Sequence, residues 1–249
     1  MTRLAEAAPV TAAALLRALR AQADPGDAVN LTRFFKTGPG EYGEGDRFLG
    51  VRVPALRALV RAHRDRVPPD TAAALVRSPW HEARLLGLLL WVQSFQRGTE
   101  SDRAALYRTY LAHSAHINNW DLVDASAEHI VGGWLFPRNR APLDRLARSP
   151  VLWERRIAML ATFHFIRRGQ FADTLRLADM LRADRHDLMH KAVGWMLREV
   201  GNRDPAALRG FLARHAATLP RTLLRYAIEK LPAAERQRWL ATGRVAVAQ

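Results

Sequence analysis

The stretch RSPWHEARLLGLLLWV at residues 77–92 returns in altered form as RSPVLWERRIAMLATF at residues 148–163. In both copies a Ser-Pro pair precedes an apolar segment with a basic residue near its start, Arg84 in the first and Arg156 in the second. Serine followed by proline is typical of a helix N-cap and first turn, and the apolar spacing of three and four residues is that of a helix face. The stretch therefore predicts a helix that is used repeatedly.

The basic position recurs at a nearly constant interval along the chain. It falls at Arg52, Arg84, Arg156, Lys191 and Arg225, and a further unit fits between the second and third at residues 120–131. A period of about 35 residues is typical of stacked helix pairs, and strand signals are nearly missing. We therefore expect an all-α fold, a right-handed solenoid of about six HEAT-like helix pairs with a concave basic groove. It would form one domain over residues 1–249, with a short C-terminal tail from about residue 242.

The charge of the chain points to an acidic polymer as its partner. Lys and Arg number 38 against 24 Asp and Glu, so the formal net charge is +14, and nearly all of the cations are arginine. Arginine makes planar, bidentate contacts with phosphate, so we expect a nucleic acid as the partner. The lack of cysteine excludes disulfides, a thiol nucleophile and cysteine-ligated metal.

No segment has the length of a membrane span. The longest apolar run, Leu85–Val92, is far too short, and Arg17 and Arg20 interrupt the N-terminal apolar segment, which favours an amphipathic helix over a signal peptide. We expect a cytoplasmic monomer, associated with the nucleoid when bound to DNA.

The unit at residues 120–131 differs from the others because it has Asp124 where they have Arg or Lys. Trp120 lies four residues earlier and thus on the same helix face, and Asn118-Asn119 can cap that helix. A carboxylate in a row of cations fits an active site, and it equally fits an ion pair with a neighbouring arginine. Asp121 is explained by helix capping, and Glu128 by a salt bridge on the outer face.

A second aromatic position lies among cations. Lys191, Trp195 and Arg198 share one helix face, which suits phosphate binding beside an aromatic platform, although a tryptophan packed between repeats would have the same spacing. The remaining tryptophans are expected to be half-buried and to pack between repeats as part of the core, namely Trp80, Trp91, Trp134, Trp153 and Trp239.

Metal and cofactor signals are weak. The close histidine pairs, His113 with His116 and His186 with His190, lack a third ligand nearby in sequence. The GxGxxG pattern at residues 38–43 follows no strand, which favours a plain loop. We expect no metal and no cofactor.

Several segments together resemble the AlkD family of DNA alkylation-repair glycosylases. They are Phe48–Pro54 (FLGVRVP), Trp120–Asp124 (WDLVD), Trp153–Arg156 (WERR) and Lys191–Glu199 (KAVGWMLRE), in the family's order over most of the chain. Phe34 stands where the family often has tyrosine, and the loop Thr37–Asp46 is longer than in the family.

The resemblance implies a DNA glycosylase that removes purines alkylated at N3 or N7 from duplex DNA, in base excision repair. It implies that Asp124 is catalytic, that Trp120, Trp195 and Phe34 contact the lesion or its sugar, and that Arg156 is a basic residue of the cleft. It also implies a reaction without flipping of the base. With the repeat pattern, it places Arg84, Arg156, Lys191, Arg198 and Arg225 against DNA. The alternatives are a non-catalytic helical-repeat binder of bent or branched DNA and a protein-binding scaffold.

Overall fold

The computed structural model describes residues 8–242, and the regular secondary structure there is helical. Extended pairing within these residues is limited to one isolated bridge between Arg47 and Trp80. The all-α fold predicted from the apolar periodicity is therefore confirmed. Nearly all of the predicted C-terminal tail lies outside the described residues.

Two compact units divide the chain, one ending at Ser126 and the other beginning at Ala127. The helices of the first unit are α1 (Ala12–Arg20), α2 (Pro25–Phe34), α3 (Val53–His63), α4 (Pro69–Val76), α5 (His81–Arg97), α6 (Glu100–Ala112) and α7 (Trp120–Asp124), with a 3-10 turn at Ser114–His116. The second unit starts with a π-helical turn (Glu128–Gly132) and continues with α8 (Gly133–Leu135), α9 (Ala141–Ala147), α10 (Leu152–Ala161), α11 (Phe163–Ile166), α12 (Ala172–Leu181), α13 (Asp187–Gly201), α14 (Pro205–His215), α15 (Arg221–Ala227) and α16 (Ala233–Ala241). The single domain and the solenoid stay predictions.

The first unit is organised around α5, which packs against α1, α3, α4, α6 and α7. Buried side chains lie on all sides of α5 rather than along one stripe, as is typical of a helix in a protein interior. Gly87 allows α4 to come close, because a Cβ there would lie 2.8 Å from the Ala72 carbonyl oxygen. The apolar run read from the sequence is therefore the core of this unit.

The second unit is organised in the same way around α13, which packs against α10, α11, α12, α14 and α15. Gly194 has the role of Gly87, because a Cβ there would lie 2.6 Å from the Leu223 carbonyl oxygen. Each glycine comes three residues after a basic position of the repeat, Arg84 or Lys191. The two units thus share a local packing motif at the period read from the sequence.

The helix starts agree only in part with their prediction. Asp204, which precedes a proline as the two serines do, caps α14, and its Oδ1 accepts the Ala207 N–H at 2.9 Å. At the two Ser-Pro pairs the prediction was early, because α5 begins at His81 and α10 at Leu152. The hydroxyls of Ser78 and Ser149 instead accept the N–H two residues later, which forms a turn ahead of each helix.

The N-terminal amphipathic helix is confirmed over its described part. In α1, Leu15 and Leu19 are buried while Arg17 and Arg20 are exposed. No helix in the described part of the chain is long and apolar enough to cross a membrane.

The tryptophans expected to pack between repeats divide into two groups. Trp91 and Trp153 are more deeply buried than expected. The other three are half-buried, as expected, and each one meets a charged side chain at the surface. Arg47 lies over the ring of Trp80, Arg138 lies over that of Trp134, and Trp239 Nε1 donates to Glu235.

Candidate functional site

Trp120 and Asp124 lie on α7, a single helical turn with a buried cap. Asn119 is fully buried, and its Oδ1 accepts the Trp120 N–H at 2.8 Å. Capping by the Asn118-Asn119 pair is therefore confirmed for Asn119. The two residues before Asp124 are buried, so Trp120 and Asp124, four residues apart, share the half-exposed face of the turn.

The end of α7 is fixed by a buried hydroxyl pair. The Tyr110 hydroxyl lies 2.9 Å from Ser126 Oγ, which donates to the Leu122 carbonyl oxygen at 2.6 Å. Burial raises the pKa of Tyr110, and the negative charge of Asp124 raises it further. The Asp124 carboxylate thus acts electrostatically on a neutral, immobile phenol.

A cluster of aromatic rings, those of Phe34, Phe35 and Phe48, supports Trp120. The ring of Phe35, which is buried, stacks on Trp120 with centroids 5.2 Å apart and on Phe48 with centroids 5.0 Å apart. Phe34 lies edge-on to Trp120 at 5.9 Å, and the residue is 63% exposed. The structure therefore brings Phe34 next to Trp120, as expected of two residues of one site.

His81 packs against the Phe35 and Phe48 rings of this cluster and binds two carboxylates. Its Nδ1 is 2.7 Å from Asp46 Oδ2, and its Nε2 is 2.8 Å from Asp121 Oδ2, while the residue is only 2% exposed. Burial alone would lower the pKa of His81, but the two carboxylates outweigh it and raise the pKa to about 9. The imidazole is therefore a buried cation at neutral pH. Asp121 thus joins α7 to α5 in addition to capping its own turn.

Arg84, one helical turn after His81, belongs to the same buried network. The residue is 7% exposed, its guanidinium forms an ion pair with Asp46, and its Nη1 donates to Asn118 Oδ1 at 2.7 Å. This differs from the exposed, phosphate-binding arginine that the repeat pattern indicates. The pairing occurs because Asp46, at the end of the loop Thr37–Asp46, is buried and offers a carboxylate at that point. The lowered pKa of Asp46, to which His81 and Arg84 contribute against the effect of burial, keeps it charged.

Glu82 holds the segment that carries Phe48. Its buried carboxylate accepts the backbone N–H groups of Leu49, Gly50 and Val51 at 2.8 to 3.2 Å. Gly50 has φ +84°, and its Cα faces the start of α2 so closely that a Cβ would lie 2.0 Å from the Asp24 carbonyl oxygen. These contacts hold the start of α2 against residues 49–51, and the ring of Phe35, which follows α2, lies 4.8 Å from that of His81 at the start of α5.

The raised pKa of His81 predicts a pH-dependent stability. The bonds to Asp46 and Asp121 require the protonated ring, so their stabilisation is complete below the ordinary pKa of about 6.5 and is lost as the pH rises through 9. We expect the free energy of unfolding in urea to fall by on the order of 3 kcal/mol between pH 6.5 and pH 9.5. His81→Gln has no proton to lose, so its decrease over this range should be much smaller. An equal decrease in both proteins would contradict the assignment.

The second unit contains the other residues predicted to contact DNA. Trp195 is half-buried and lies edge-on to Phe163 at 5.7 Å. Lys191 Nζ lies 2.8 Å from Asp187, Arg198 forms an ion pair with Glu229, and Arg225 is exposed. Arg156 is only 4% exposed, and its Nη1 donates to the Leu188 carbonyl oxygen at 2.6 Å. As with Arg84, the side chain serves packing between helices, here of α10 and α13.

Glu128 and the histidine pairs have structural contacts. Glu128 pairs with Arg167 at 2.8 Å, which confirms the predicted salt bridge, although the carboxylate is buried rather than on an outer face. His113 Nδ1 bonds to the Thr109 carbonyl oxygen, and His186 Nδ1 accepts the Leu188 N–H. Among residues 8–242 no cluster of three or more His, Asp or Glu residues has a geometry that could hold a metal ion.

The sequence pattern of the family described as DNA alkylation repair enzyme matches residues 15–231. The chain belongs to this family. A solved structure from Enterococcus faecalis, described as a predicted DNA alkylation repair enzyme, has a TM-score of 0.66 to this chain at 17% identity. The match covers 85% of this chain and 98% of that one, which shows a shared fold. Curated proteins give no significant match.

Three residues that organise the first unit of this member of the DNA alkylation repair family were not found from its sequence. The sequence assigned no role to His81 or Glu82, and Asp46 stood only as the end of a loop. Their partners lie 31 to 73 residues away along the chain, and one sequence alone does not indicate such pairings. The available signal was a histidine and a glutamate in an otherwise apolar helix start, since charged residues there need partners.

Proposed function

We propose that the chain is a DNA glycosylase that hydrolyses the N-glycosidic bond of purines alkylated at N3 or N7 in duplex DNA. The observation that carries the proposal is the shared, half-exposed face of Trp120 and Asp124 on α7, with Phe34 beside the tryptophan. A carboxylate next to aromatic rings suits a positively charged sugar and base. Membership of a DNA alkylation repair family gives the substrate class.

The chemistry requires little more than this carboxylate. Alkylation at N3 or N7 makes the purine cationic and a good leaving group, so the reaction needs no strong general acid. As the bond breaks, the sugar acquires oxocarbenium character, which the negative charge of Asp124 would stabilise while the carboxylate aligns the attacking water. The face of Trp120 would favour the cationic nucleotide. Trp195, in the second unit, is a further aromatic residue proposed to contact DNA.

Lys191, Arg198 and Arg225 are proposed to bind the DNA backbone. Lys191 and Arg225 keep a large part of their side chains in solvent, whereas Arg84 and Arg156 are buried. We therefore propose that the two buried arginines support the site from within. A burial of this degree leaves a guanidinium little surface for a phosphate.

Release of free base tests the proposal directly. The protein is incubated with duplex DNA containing 7-methylguanine, and the solution is analysed for free 7-methylguanine and the DNA for abasic sites. We expect both products, and none from unmodified duplex. Tight binding of bent or branched DNA without any release of base would instead support a non-catalytic binder.

Binding of duplex DNA is expected to weaken steeply with salt. Three phosphate contacts release counterions, so the logarithm of the association constant should fall with the logarithm of the salt concentration with a slope of about −2.7, an affinity loss of about 40-fold between 50 and 200 mM salt. Lys191→Ala should reduce this slope by about 0.9. Lys230→Ala, which removes an exposed lysine outside the repeat positions, serves as the control and should leave the slope unchanged. A salt-independent Kd would rule out backbone binding.

A further inference from the structure

One ring connects three separate segments of the first unit. His81 begins α5, Asp46 ends the loop Thr37–Asp46, and Asp121 lies three residues before Asp124 on α7. Both ring nitrogens are used, and each meets a carboxylate oxygen, so only the doubly protonated imidazole can donate both bonds. This one cation therefore joins α7 to α5, in addition to the packing between the two helices.

The charged groups around the ring leave it no other role. Asp46 and Asp121 face its nitrogens, and Arg84 and the Asn119 amide are also bound to Asp46. Glu82, the next residue along α5, is engaged by the backbone of residues 49–51. The rings of Phe35 and Phe48 pack against the imidazole, with centroids at 4.8 and 4.6 Å. Because these rings bury it, His81 does not reach a substrate.

We propose that His81 is a positioning residue, which fixes the turn that carries Trp120 and Asp124 by binding Asp46 and Asp121 at the same time. This inference rests on the proposed glycosylase activity of Asp124. A five-residue turn does not hold its own orientation, and a displacement of about 1 Å at a reacting group costs about 100-fold in rate. We call His81 with Asp46 and Asp121 the clamp. Loss of the clamp should therefore slow base release far more than it weakens DNA binding.

The test compares the whole protein with His81→Gln, which supplies one amide donor and no charge. We expect single-turnover release of 7-methylguanine to fall about 10- to 100-fold, with the Kd for duplex DNA within twofold. The rate of the unmodified protein should also decrease as the pH rises through about 9, while the low rate of His81→Gln should stay level. His63→Gln, at the end of α3, is the control and should match the unmodified protein in rate and in pH profile.

Asp121→Asn keeps the proposal testable if His81→Gln does not fold. It leaves the shape of the clamp and removes one charge, and we expect the same separation of rate from Kd. The proposal is overturned if folded variants release base at the parent rate, or if they keep the alkaline decrease. A loss explained fully by unfolded protein also overturns it. If the unmodified protein releases no base, the proposed function itself is wrong, so the two failures are distinguishable.

Discussion

Asp124→Asn is expected to lose base excision by about 100- to 1,000-fold while it keeps the fold and binds duplex DNA at least as tightly. The change is nearly isosteric, so the half-exposed face of α7 should stay packed. It removes the charge that would stabilise the oxocarbenium-like sugar and orient water. DNA binding is expected to stay or to tighten, because a carboxylate close to phosphates is repulsive. Single-turnover release of 7-methylguanine, Kd and melting temperature measure the three effects.

A structural role of Asp124 predicts a different outcome. If the carboxylate served only an ion pair, Asp124→Asn would melt at a lower temperature, and excision would decrease only in proportion to the folded fraction. Asp70→Asn changes a carboxylate at the start of α4 in the same unit and is the matched control, with the parent rate expected. Excision by Asp124→Asn at the parent rate would exclude Asp124 as the catalytic group, and Asp121 and Glu128 would be considered in its place.

Gly50→Ala is expected to reduce the free energy of unfolding by about 3 kcal/mol or more. Two costs add at this position. The backbone has φ +84°, which side chains rarely adopt, and the new Cβ would lie 2.0 Å from the Asp24 carbonyl oxygen and 2.8 Å from the Ala28 nitrogen. Both neighbours are backbone atoms of α2 and its cap, so the helix would have to move. Urea unfolding at pH 7 measures the loss.

Gly40→Ala separates the two costs. Gly40 has a similar φ of +76°, but a Cβ at this position would meet no atom within 4 Å, so only the backbone cost of about 1 kcal/mol applies there. The difference between the two variants gives the cost of the close approach to α2. Equal losses would mean that α2 adjusts without strain, and the contact between Gly50 and Asp24 would then have no stabilising role.

The fold was predictable because apolar spacing is a local property of the sequence. The segment after Arg84 identified α5, and the segment beginning at Lys191 identified α13, the two central helices. The helix starts at the Ser-Pro pairs were less predictable, since a hydroxyl that bonds two residues ahead makes a turn rather than a cap. Serine and proline occur in both arrangements.

The candidate site was predictable only where its residues are close in sequence. Trp120 and Asp124 were found from their spacing of four, whereas the clamp of Asp46, His81 and Asp121 depends on contacts 35 and 40 residues apart. Burial of Arg84 and Arg156 was also missed, because a basic residue near a helix start looks the same in sequence whether it faces solvent or a carboxylate. The chain's large positive charge favoured the interpretation in which both arginines face solvent.

Because α7 is so short, it should unfold only together with the first unit. A helix of five residues is unstable in isolation, so its amide hydrogen bonds persist only while Asn119, Ser126 and the core around them remain in place. Local fraying of α7 would break the buried cap, and its amides should therefore exchange with deuterium at the rate of cooperative opening of the first unit. The face of α7 that carries Trp120 and Asp124 would then be either ordered or unfolded, with no state between. Heat or denaturant would therefore remove activity and native structure in a single step.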